Sequence, residues 1–133
     1  MAKELSKIIN DWVPDDSKVI DFGCGDGSLL KELMQTKNVL GYGVEINDLK
    51  IQTCIANGVP VIKQDIDKGI NEFKSSNFDF SIMARSIQCL KNPATALNGM
   101  LKLSKRCVVT LPNLGYWRSV SYTHLRAHET ESN

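Results

Sequence analysis

Apolar residues along this chain switch between helical and strand-like spacing, and the switches alternate from one end to the other. Leu5, Ile8, Ile9 and Trp12 recur at helical intervals and predict a short opening helix that Pro14 ends. Lys18-Val19-Ile20-Asp21-Phe22 is a β-branched run and predicts the first strand. Ser28 to Gln35, apolar at Leu29, Leu30, Leu33 and Met34, predicts a helix, and Val39 to Val44 a second strand. Asp48 is placed to cap a third helix running to about Ala56, which Asn57-Gly58 ends. Val59 to Lys63 predicts a third strand, and Lys68 to Phe73 a weak helix. Phe78 to Met83 then predicts a fourth strand. Pro93 opens a helix to about Leu103, and Arg106 to Leu111 predicts a fifth strand. Strands that alternate with helices of this length imply βαβ units. Their near-continuous apolar character implies a parallel sheet covered on both faces. The expected fold is α/β, a Rossmann-like doubly wound parallel sheet, ending after the fifth strand.

The first strand runs into Asp21-Phe22-Gly23-Cys24-Gly25-Asp26-Gly27, where glycines alternate. Such a turn reaches positive φ and lets a ligand approach the backbone. The helix that follows starts near Ser28, so its N–H groups can meet a carboxylate. The methionine end of S-adenosylmethionine carries one, and Asp21 suits its ammonium. Glu45 lies 18 positions beyond Gly27, near the spacing of about 20 at which an acidic residue accepts from ribose hydroxyls in such folds. Asp65, after the third strand, could accept from the adenine amino group or cap a turn. Tyr42, Ile46 and Ile66 are candidates for packing the adenine faces. The cofactor-binding set expected is therefore Asp21, Gly23, Cys24, Gly25, Gly27, Glu45, Ile46, Asp65 and Ile66, with S-adenosylmethionine or S-adenosylhomocysteine as the ligand. A nicotinamide site wants G-x-G-x-x-G, but in that register position 28 is serine and the glycine falls at 27.

Composition narrows the picture. The chain has 133 residues, room for one domain. With 16 Lys and Arg against 15 Asp and Glu, the net charge of +1 gives no electrostatic footprint for nucleic acid. No apolar stretch is long enough to span a bilayer, and the first residues lack the apolar core of a secretory signal, so a cytoplasmic location is expected. Cys24, Cys54, Cys89 and Cys107 are too scattered for a metal site, and are expected to be reduced and mostly buried.

From about Leu5 to Arg118 the chain resembles the bacterial methionine-biosynthesis protein MetW. The resemblance rests on residues 19–27, on Gly41-Tyr42-Gly43-Val44-Glu45-Ile46, and on Asn77-Phe78-Asp79. It rests most of all on Leu111-Pro112-Asn113-Leu114-Gly115-Tyr116-Trp117-Arg118. It implies an S-adenosylmethionine-binding protein of methionine biosynthesis that acts with a homoserine O-acyltransferase. The alternative is a class I S-adenosylmethionine-dependent methyltransferase of an unidentified small molecule, with Arg85, Gln88 and Asn113 as the polar groups nearest the transferred methyl. The loop after the fourth strand reads Ala84-Arg85-Ser86-Ile87-Gln88, where the family usually has a sequence like Ser-Gln-Thr-Leu-Gln. Family members also continue well beyond residue 118.

Val120 to Thr130 resembles one reading frame of a transposase-type sequencing adapter. The expectation is a domain over 1–119, incomplete at its C-terminal side, followed by a non-native tail over 120–133. His124 and His128, four apart, would suit a metal on a helix, but both fall in that tail, so no metal is expected. A sheet that stops at the fifth strand would leave that strand's edge unpaired and the fragment prone to aggregate.

Overall fold

The computed structural model describes residues 3–70, 77–84, 89–113 and 116–123, with side chains left out at 3, 69, 111–113 and 116–123. Its elements are α1 (Lys3–Trp12), β1 (Lys18–Phe22), α2 (Ser28–Lys37), β2 (Leu40–Glu45), α3 (Asp48–Ala56), β3 (Val61–Lys63), α4 (Ile66–Gly69), β4 (Phe78–Ala84), α5 (Pro93–Leu103), β5 (Ser104–Asn113) and β6 (Tyr116–Thr123). They build one sheet in the order β3-β2-β1-β4-β5-β6. Strands β1 to β5 are parallel, so the expected doubly wound fold is what the chain forms. The order reverses between β1 and β4, and it is beside this switch, at the carboxyl ends of the strands, that such sheets open a crevice.

Two apolar clusters hold the layers together. On one face Leu5, Ile9 and Val13 of the first helical stretch and Leu29, Leu30 and Leu33 of α2 cover Val19, Phe80, Ile82 and Val108. On the other, Ala96, Met100 and Leu103 of α5 cover Ile20, Phe22, Val44 and Val109. The alternation along β1 puts Val19 and Asp21 on the first face, Ile20 and Phe22 on the second. Helix α2 comes close to β2 because Gly41 and Gly43 carry no side chain there. A Cβ at 41 would lie 3.2 Å from Leu30 Cδ2, and one at 43 would lie 2.5 Å from Cys24 Sγ.

Several element ends differ from the sequence expectation, each for a local reason. Strand β3 begins at Val61 rather than Val59. Pro60 has no N–H to give a ladder, while its carbonyl accepts from Gly43 N at 2.8 Å. Helix α3 is capped by Asn47, whose side chain accepts from Lys50 N at 3.0 Å, and Asp48 is the first residue inside. Helix α4 begins earlier than expected, at Ile66, and is described over Ile66–Gly69 with Asp65 as its cap; residues 71–73 of the expected helix lie outside the described residues.

The largest correction concerns the sheet edge. The fifth strand is not left bare: β6 pairs antiparallel along it, from Arg106 opposite Thr123 to Asn113 opposite Tyr116. Antiparallel pairing allows a short connection between neighbouring strands, and β6 supplies the β5 edge with a hydrogen-bonding partner. Residues 120–123, which the sequence reading assigned to a non-native tail, continue that strand. His124 and His128 lie outside the described residues.

Candidate functional site

The carboxyl end of β1 is where the chain is most constrained. Phe22 is the last strand residue, and the loop behind it is fastened to β2 by Gly23 N and Cys24 N, which both donate to Val44 O at 2.7 and 3.0 Å. Gly23, Gly25 and Gly27 all take positive φ, at 78°, 61° and 82°. Alternating glycines are thus required by the backbone, because an L side chain at such φ is strained. Their surroundings differ. A Cβ on Gly25 would meet nothing within 4 Å, whereas one on Gly27 would stand 3.0 Å from Cys54 Sγ and 3.2 Å from Val59 Cγ2. Gly25 faces open space, and Gly27 is the point where the loop rests on α3.

The open space is a cleft of about 530 Å³. Of the nine residues expected to bind a cofactor, Asp21, Gly23, Cys24, Gly25, Glu45, Ile46, Asp65 and Ile66 line it, and Gly27 stands behind it. Tyr42 is elsewhere. It belongs to the opposite apolar cluster and packs edge-on against Phe78 with centroids 5.8 Å apart. Its place in β2, an odd number of residues from Glu45, sends it to the other face of the sheet. The side chains of Arg85, Gln88 and Asn113 lie outside the described residues.

Glu45, at the tip of β2, is largely buried and accepts three main-chain bonds. Gly25 N donates to Oε1 at 2.9 Å; Ile46 N and Asn47 N donate to Oε2 at 3.1 and 3.0 Å. The carboxylate therefore ties the glycine loop to the β2–α3 turn as well as facing the cleft. Asp65 Oδ1 accepts from Asp67 N at 3.0 Å, the turn-capping role weighed from the sequence, while Asp65 also lines the cleft. Ser28 N, expected to be free for a ligand, is held by Asp26 Oδ1 at 2.9 Å, and this bond draws the Asp26 carboxyl below its ordinary range.

Asp21 is the anomaly. It is 3% exposed, and its Oδ1 is buried without a hydrogen-bond partner. Burial pushes its carboxyl up to about 8, and the negative charge of Glu45 adds to the rise. A carboxylate oxygen buried without a partner is costly to keep ionised.

Sequence reasoning missed Asp26, Lys50, Gln64 and Asp67 in the cleft wall. Gln64 adjoins Asp65, so the strand-tip rule applied one residue more generously would have found it; Asp67, two residues past Asp65, Lys50, in the first turn of α3, and Asp26, in the glycine loop, lie beyond that rule. The thiol pair was also missed. Cys24 and Cys54, 30 residues apart in sequence, bring their sulfurs within 3.5 Å, and Cys54 Sγ donates to Gly25 O at 3.0 Å. Both are free, and burial pushes both thiols up, so they act as packing groups under the loop. Cys107 is buried and free as expected, but Cys89 is exposed. Among the described residues no group of His, Cys, Asp and Glu could hold a metal ion, and no helix is long and apolar enough to cross a membrane.

Comparison with known proteins bears on the family and the fold. A family model described as methionine biosynthesis protein MetW matches residues 3–132. The chain belongs to the MetW family. A bifunctional methionine biosynthesis protein MetXA/MetW of Rhodopirellula baltica is 29% identical over 112 residues, which are 78% of this chain and 18% of that protein. Among solved structures, a SAM-dependent methyltransferase from Thiobacillus denitrificans in complex with S-adenosyl-L-homocysteine superposes with a TM-score of 0.67. It is 14% identical, over 84% of this MetW-family chain and 49% of the other. The [4+2]-cyclase SpnF superposes with a TM-score of 0.71 at 16% identity, over 80% of this chain and 43% of the other. The chain thus spans under a fifth of that relative and less than half of these structures. A methyltransferase and a cyclase on one scaffold show that the fold is shared and that it does not specify a reaction.

Proposed function

We propose that this MetW-family chain binds S-adenosylmethionine or S-adenosylhomocysteine in the cleft at the β1, β2 and β3 tips, and acts with a homoserine O-acyltransferase in methionine biosynthesis. The observation that carries the ligand is the pairing of Asp21, whose buried Oδ1 has no partner, with open space above Gly25. The residues present fit the ligand's groups. Asp21 accepts from the ammonium, and the first turn of α2 beyond Ser28 meets the carboxylate. Glu45 reaches the ribose hydroxyls, Asp65 the adenine amino group, and Ile46 and Ile66 the faces of the base. A bound structure of a relative in fold carries S-adenosyl-L-homocysteine, which supports the same ligand here. The partner is supported by the Rhodopirellula protein, in which MetXA and MetW occur in one bifunctional chain.

Calorimetry with S-adenosylhomocysteine tests the ligand, and co-elution with a homoserine O-acyltransferase, with and without it, tests the partner. Saturable one-site binding and a ligand-dependent change in acyltransferase activity are expected. No heat of binding removes the cofactor, and no co-elution with unchanged acyltransferase activity removes the partner. Transfer of label from methyl-labelled S-adenosylmethionine to a methionine-pathway metabolite would establish the small-molecule methyltransferase instead.

A further inference from the structure

Asp21 lies at the sheet switch with its register neighbours known: Gly43 on β2 and Ile82 on β4. One has no side chain and the other is fully buried and apolar, so neither offers a donor or a positive charge. The titratable groups that face it are of the wrong kind to balance an anion. Glu45 comes from β2, the neutral thiol of Cys24 from the loop and that of Cys54 from α3. From α2, Ser28 and Leu29 reach the cleft without charge. Asp26, Asp65 and Asp67 add negative charge around the rim, with Cys89 beyond them. Lys50 is the one cation in the wall among the described residues, and it is exposed, so water screens it. An ionised Asp21 would thus be a buried, unpartnered anion facing a second one.

We infer that Asp21 carries a proton in the free protein and gives it up when a cationic ligand group enters the cleft, so that ligand binding and proton release are coupled. The inference rests on the cofactor reading for the identity of that group, an ammonium. The balance is simple: the Asp21 O–H bond breaks, the proton leaves to solvent, and the carboxylate left behind accepts from the ligand N–H. The carboxyl pushed up to about 8 in the free protein falls when a positive charge sits beside it. The sign follows: below about 8, tighter binding requires proton loss, so affinity rises with pH.

The test uses the full chain and S-adenosylhomocysteine between pH 5.5 and 7, below the range of about 7.7–8.0 where an α-amino group itself titrates. Calorimetry in buffers of different ionisation enthalpy should give release of about one proton per ligand, and affinity should rise by up to about tenfold per pH unit. Asp21→Asn, which keeps the shape, should release none and show a flat profile. A parent protein that releases no proton, or an Asp21→Asn variant that releases as many, overturns the coupling. Carbon-13 carboxyl NMR of the free protein provides a reading that needs no ligand. An Asp21 midpoint near 8 supports the proton, and one near the ordinary value of about 3.9 overturns it. If S-adenosylhomocysteine fails to bind at every pH, the cofactor reading falls, while the free-protein midpoint still decides whether Asp21 holds its proton.

Discussion

Replacing Gly25 and Gly27 by alanine, one at a time, separates the two duties that the glycine loop combines. Both sit at positive φ, 61° and 82°, where an L residue costs about 1–2 kcal/mol. The methyl at 25 projects into open space and adds no clash. The methyl at 27 meets Cys54 Sγ at 3.0 Å, Val59 Cγ2 at 3.2 Å and the Cys54 Cα at 3.4 Å; that backbone atom cannot swing away. Overpacking of this kind costs about 1–3 kcal/mol more, so Gly27→Ala should lose about 2–5 kcal/mol in all. With a urea slope of about 1–3 kcal/mol per molar, the Gly27→Ala midpoint should fall by about 0.7–5 M and that of Gly25→Ala by about 0.3–2 M, the first always the larger because one slope applies to both. Binding should reverse the order. The Gly25 methyl occupies the approach a ligand needs and should weaken S-adenosylhomocysteine at least about tenfold, worth about 1.4 kcal/mol. Urea unfolding followed by circular dichroism and calorimetry on the folded variants read both quantities. Equal losses of stability, or Gly25→Ala binding as tightly as the parent, would refute the division of labour.

Three further outcomes follow from the same geometry. Glu45→Ala should weaken S-adenosylhomocysteine by about 1–3 kcal/mol through lost hydrogen bonds and also lower the urea midpoint, since three main-chain N–H groups lose their acceptor; unchanged affinity in calorimetry would remove it from the site. Asp21→Asn should raise the melting temperature most near pH 8. The folded carboxyl lies above its unfolded value, so the parent's stability is whole below about 3.9 and declines as pH climbs toward about 8, and the gap to Asn should close on acidification. A gap independent of pH in thermal melts would contradict this. Gly43→Ala should destabilise by about 1–3 kcal/mol because its Cβ would stand 2.5 Å from Cys24 Sγ, and Cys24→Ala should recover part of that loss in a double-mutant cycle; additive losses would show that the two positions do not press on each other.

Local pattern carried the layout of this protein. The run of β-branched residues in β1, the proline that opens α5 and the glycine spacing after Phe22 each act over a few residues, so their consequences can be read without coordinates. The acidic strand tips were legible too, because a parallel sheet places successive strand ends side by side, and Glu45 and Asp65 do meet at the cleft. Distant contacts were not legible. The sequence does not say that Glu45 binds the Gly25 amide, that Cys54 supports the loop from 30 residues away, or that Tyr42 turns to the opposite face. It also does not say that Asp21 is enclosed by a glycine and an isoleucine from two other strands. A carboxylate's charge state depends on the dielectric and the partners around it, and the packing of the sheet and its helices supplies both.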